Sequence, residues 1–154
     1  MTDCIVAELQ GLGAEMGALG AFIKTVEILK RDRVVEHFWQ FGKKLCDGLN
    51  DCAKEFDIQE HFYTEGYACS PAIIMKDASK QVSPAFRTLF LQEMITGGVM
   101  MPYVAICQAH SEAVLEQTLE SARRALNVYS QALNSGLDKY LKSKVVKPVF
   151  RKHN

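Results

Sequence analysis

The chain has 154 residues, 48% of them apolar and 23% charged, with eighteen basic residues set against eighteen acidic ones. That length suits one domain burying roughly two thirds of the surface its unfolded chain exposes; the composition excludes a disordered or fibrous chain, and the charge balance excludes a whole-protein field that would gather nucleic acid or anionic lipid. The five cysteines (Cys4, Cys46, Cys52, Cys69, Cys107) include no C-x-x-C pair, no apolar run reaches the ~20 residues of a membrane span, and no leader pattern opens the chain, so the expectation is a reduced, cytoplasmic protein without disulfides, metal or membrane contact.

Residues 1–12 form a poorly defined segment in which 4–9 reads equally as a short strand or a frayed helix. A domain over 13–142 follows, and residues 143–154 read as a basic tail that is solvated rather than bound to nucleic acid or lipid. The spacing predicts a helix over 14–30, with Met16, Leu19, Ile23 and Val26 on one face and Phe22 and Leu29 widening the stripe. Gly17 and Gly20 inside it suggest close approach of another backbone. Asp32 is positioned to cap a second helix, where Val34, Phe38, Phe41, Leu45, Leu49, Cys52 and Phe56 recur at three and four.

After Asp57 the period changes, predicting strands over 58–64 and 68–76 with a turn at Glu65-Gly66. Pro71 demotes the start of the second strand, leaving 72–75 as its firm part. Ser83-Pro84 reads as an N-cap and first helical position, Phe86, Leu89, Phe90 and Met94 as a buried stripe, and Gly97-Gly98 as a left-handed stop. A strand over 99–101, continued over 103–107 beyond Pro102, comes next. Ser111 and Glu112 open the last long helix, with Leu115, Leu119, Ala122, Leu126, Tyr129 and Leu133 in register; Gly136 ends it, and Leu137, Tyr140 and Leu141 allow one more turn. This order implies an α+β, two-layer sandwich of helices on a small, mostly antiparallel sheet.

Candidate chemistry is sparse. The run GLGAEMG at Gly11–Gly17 is one residue off a dinucleotide fingerprint and lacks a firm preceding strand, so its glycines read as helix entry and close packing. His37, His61, His110 and His153 have no partner at metal-binding spacing, and His110 reads as a capping or surface residue. Cys52 belongs to an apolar stripe, whereas Cys46 faces another way. Lys24, Lys43 and Lys44 lie on polar helix faces, unlike the buried or cation-flanked lysine that Schiff-base chemistry requires. No Ser-His-Asp set or carboxylate pair is visible, so no catalytic and no metal-ligating residue is assigned.

Four blocks taken in order, GAEMGALGAFIKTVEIL, HFWQFGKKL, FRTLFLQEMITGGVMMPY and VKPVFRKHN, resemble the C-terminal part of glutamate-1-semialdehyde aminomutase-like proteins. Those are class III aminotransferases that use pyridoxal phosphate. The resemblance implies the small C-terminal domain of a fold-type I transferase, with the aldimine lysine and the groups that hold the cofactor ring in a larger domain upstream of the matched region. It further implies a dimeric parent in which a threonine before the glycine-rich helix reaches the partner's cofactor phosphate; counting back from Gly13, that position falls on Gln10. After Pro102 the aminomutase carries a longer, acidic loop, whereas Tyr103–His110 holds no carboxylate. The expectation is an aminotransferase small domain that binds no pyridoxal phosphate by itself and is inactive alone. Its expected partners are a cofactor-binding large domain or a second copy in a homo-oligomer. The alternative is a non-catalytic binding or self-assembly module derived from that domain.

Overall fold

Four helices and one β-hairpin follow one another along the chain in a computed structural model that describes residues 16–146. Helix α1 spans Met16–Arg31, α2 Val34–Glu55, β1 Phe62–Tyr67, β2 Ser70–Met75, α3 Pro84–Thr96 and α4 Glu112–Ser135, with a 3-10 turn at Leu137–Lys139. The class is α+β with a two-stranded antiparallel sheet among the described residues. The chain divides into two units after His37.

In the first unit, α1 ends where Arg33 takes a positive φ of 50°. Asp32, expected to cap α2, instead gives both carboxylate oxygens to the Arg31 guanidinium at 2.7 and 2.8 Å. No residue of α1 is buried, and Met16, Phe22 and Ile23 stand exposed. At Gly17 and Gly20 a Cβ would meet nothing within 4 Å among the described residues, so none of these makes the expected backbone approach.

The second unit holds the core. Phe41, Leu45, Leu49 and Cys52 of α2 are buried with Phe86, Leu89, Phe90 and Met94 of α3 and Leu115, Ala122, Leu126 and Tyr129 of α4. These are the residues their helical periods select. Phe62 at the start of β1 joins an aromatic cluster, 5.0 Å from Phe90 and 6.2 Å from Tyr129 between ring centroids, while Phe86 lies 4.7 Å from Tyr129.

Two helix ends share one device. At the end of α3, Val99 N–H reaches Met94 C=O at 2.9 Å and Gly98 N–H reaches Ile95 C=O at 2.9 Å, with Gly98 at φ 82°. This double closure satisfies carbonyls that the helix leaves open. At the end of α2, Ile58 N–H reaches Ala53 C=O at 2.9 Å and Asp57 N–H reaches Lys54 C=O at 3.0 Å, with Asp57 at φ 55°.

The second closure moves the first strand. Residues 58–61 belong to the helix exit, and Ile58 is buried as its apolar seal rather than as a strand residue. β1 therefore runs Phe62–Tyr67 instead of 58–64. Tyr67 pairs with Ser70, which places the turn at Ala68-Cys69 rather than at Glu65-Gly66; Gly66 lies within the strand, opposite Pro71, at φ 93°. The expected third strand is absent among the described residues, where 99–106 lies beside the core, bent at Pro102 and Tyr103, without a ladder partner.

Candidate functional site

An open cleft of about 350 Å³ lies along 99–106, closed on its other sides by Phe41 and Leu45 of α2, His110, and Val114 and Thr118 of α4. Its walls are built by sequence features that act locally. The glycine stop of α3 turns the chain into the cleft, and Arg87 of α3 holds it there by donating to Pro102 C=O at 2.8 Å. α2 can lie close because Gly42 has no side chain: a Cβ at that position would sit 1.9 Å from Ala68 C=O. Behind the cleft, Gly97 admits Ser121 of α4, whose hydroxyl donates to Gly97 C=O at 3.0 Å.

His110 is the polar group at the mouth. Its ring packs on Phe41 at 5.3 Å, and its Nδ1 accepts the Cys107 N–H at 3.3 Å, so the neutral ring carries its proton on Nε2. It closes the 107–110 turn rather than capping α4, whose N-cap residue is Ser111. His61 does the reverse: its Nδ1 donates to Asp77 C=O at 2.8 Å, tying the start of β1 to the loop after β2. Tyr129 crosses the core and donates to Lys76 C=O at 2.6 Å, and burial pushes its phenol far above the ordinary range. The Cys46 and Cys52 thiols are also pushed up by burial, although a hydrogen bond from Thr64 opposes this at Cys46. Both are thereby poor nucleophiles.

The lysines test whether the described residues suit pyridoxal phosphate. Lys24 pairs with Glu27 at 2.9 Å, Lys43 with Asp47 at 2.7 Å and Lys54 with Asp51 at 2.9 Å, while Lys44 pairs with Glu112 and Lys80 with Glu60. All five are exposed, and the carboxylates hold Lys43 and Lys54 above the usual lysine range. An aldimine lysine needs the opposite shift. Lys43 and Lys54 therefore do not fit the aldimine role, and no reaction step is routed through the cofactor.

Gln10, Gly11, Gly13, Cys4 and His153 lie outside the described residues. No group of three metal-ligating side chains occurs among the described residues, and no helix among them is long and apolar enough to cross a membrane. The sequence reading overlooked Gly42, Gly48 and the Gly97–Ser121 contact. Gly42 and Gly48 interrupt an otherwise strong helical stripe, and that local conflict is the available signal.

No family model matches the chain, and no solved structure matches it. A curated relative does: 3-aminobutyryl-CoA aminotransferase of Cloacimonas acidaminovorans (strain Evry) is 30% identical over 109 residues, which make up 69% of this chain and 26% of that protein. The chain spans about a quarter of the length of the relative it matches. It is similar to one part of an aminotransferase, in keeping with the kind of protein that the sequence blocks point to.

Proposed function

We propose that this chain is a small-domain region of a class III, pyridoxal-phosphate-dependent aminotransferase, related to the glutamate-1-semialdehyde aminomutase group, and that it performs no transamination by itself. Identity to an aminotransferase across most of the chain carries the ancestry. The exposed lysines paired with carboxylates support the second half, because Lys43 and Lys54 are held away from the neutral amine that attacks an aldehyde. On this reading the region packs beside a lysine-bearing domain, and the parent acts on an amino or keto compound.

Adding pyridoxal phosphate to the purified chain and recording its spectrum tests the proposal. The expected outcome is no stable band near ~420 nm and no lysine fixed by borohydride. A band that reduction locks onto a single lysine would overturn it.

A second reading, a self-assembly module, is favoured by one observation: the run 94–111 contains no Asp, Glu, Lys or Arg, although much of it is exposed.

A further inference from the structure

His110 closes one turn of chain twice over. Its own N–H donates to Cys107 C=O at 3.1 Å, and its Nδ1 accepts Cys107 N–H at 3.3 Å, so Gln108 and Ala109 are held between two bonds to the same residue. The first bond asks nothing of the side chain. The second needs a nitrogen lone pair, which only a ring without a proton on Nδ1 can offer.

The ring that makes this clasp is also part of the cleft wall. Half-buried, it rests on Phe41 at 5.3 Å between centroids and shares the wall with Ile106, Val114 and Thr118. The turn comes directly before Ser111, the N-cap of α4, whose hydroxyl makes no capping bond. The clasp thus fixes how the chain passes from the cleft wall into α4.

A second proton reverses this contact. With Nδ1 protonated, two N–H donors meet where one bond stood, and a positive charge stands beside the apolar side chains of Phe41, Ile106 and Val114. Imidazoles take up that proton between about pH 5 and 8. On the elements around the ring, α2 brings His37 and Lys44, one turn before and one turn after Phe41; α4 brings Glu112; 99–106 brings the phenol of Tyr103; and the turn has the Cys107 thiol. The one carboxylate among these is already paired with Lys44.

We propose that His110 is a pH-sensitive clasp. Neutral, it locks the 107–110 turn and the cleft wall beside it; protonated, it lets the turn open. The clasp is therefore closed above the histidine range and is lost as pH falls through it. It stands whether or not the aminotransferase reading holds.

Nitrogen-15 NMR and amide hydrogen exchange of the full chain test this at about pH 8 and about pH 5. At the higher pH the His110 ring is expected as the Nε2–H tautomer. At the lower pH the protection of the Cys107 amide, taken relative to its unstructured exchange rate, should fall roughly two- to tenfold, the effect of one hydrogen bond, while that of Leu126 holds. His110→Asn sets a carbonyl oxygen within reach of the same N–H without titrating, and should keep the protection at both pH values. His110→Phe retains a ring but has no acceptor, and should be poorly protected at both. His37→Gln should leave the transition in place. An Nδ1–H tautomer at the higher pH, unchanged protection in the parent, an equal fall in His110→Asn, full protection in His110→Phe, or disappearance of the fall in His37→Gln would each overturn the proposal.

Discussion

Gly42 meets a carbonyl where any other residue would place a carbon. With Ala68 C=O 1.9 Å from the site of a Cβ, Gly42→Ala must drive the hairpin turn away from α2. The neighbour is main chain, so the cost should reach about 3 kcal/mol, the upper range for overpacking. Gly17→Ala is the counterpart: its surroundings are open among the described residues, and alanine should strengthen α1 by about 0.5–1 kcal/mol. Urea unfolding monitored by circular dichroism compares the two. Tyr129 adds a dependence on pH. Its phenol is held neutral by burial, above the value of ~10 that it regains on unfolding. Stability from this group is complete below ~10 and is lost as pH rises toward the folded value, because the unfolded chain releases the proton first. Tyr129→Phe leaves Lys76 C=O without its donor, which should cost about 1–3 kcal/mol at neutral pH. It should also make the alkaline decline shallower by up to ~1.4 kcal/mol per pH unit. Chemical unfolding at about pH 8 and about pH 11 measures both effects.

Elements divide by how local their instructions are. Ser83 opens α3 as its sequence promises: Pro84 is the first helical residue, and the Ser83 hydroxyl accepts Phe86 N–H at 3.4 Å. That bond is long, so Ser83→Ala should lower stability by only about 0.5–1 kcal/mol in a thermal melt. Gly97-Gly98 and Gly136 likewise end their helices where the pattern places them. Such signals are legible because cap, proline and glycine act within one turn of chain. The end of α2 was harder to read, since Asp57 adopts the left-handed conformation usually signalled by glycine. That substitution hides the stop and lengthens the apparent strand. The 99–106 segment shows the opposite limit: its alternation is legible, but a strand exists only with a partner, and a single sequence does not name one. The cleft is harder still, because it joins α2, α4 and 99–106, residues far apart in the chain, through glycines whose meaning lies in what they face.

At the scale of the whole molecule, stability is unevenly distributed. Among the described residues the main core cluster lies in residues 41–141, whereas α1 contributes no buried residue. A helix of 16 residues without tertiary burial is marginal in water. Native-state hydrogen exchange should therefore find the α1 amides opening near zero free energy, and those around Leu126 and Tyr129 only with global unfolding. Equal protection of both helices would contradict this distribution. The uncharged run beside the cleft also bears on how the protein can be cut. Trypsin requires lysine or arginine, and none occurs between Arg87 and Arg123. Digestion thus releases Thr88–Arg123 as one peptide carrying most of α3, the 99–106 segment and the first half of α4. Among the described cysteines, Cys107 alone is exposed, and it lies inside that peptide. Brief alkylation of the native protein followed by digestion would therefore put a mass tag on this fragment ahead of the others that carry described cysteines, turning a stretch without charges into a reporter of its own exposure.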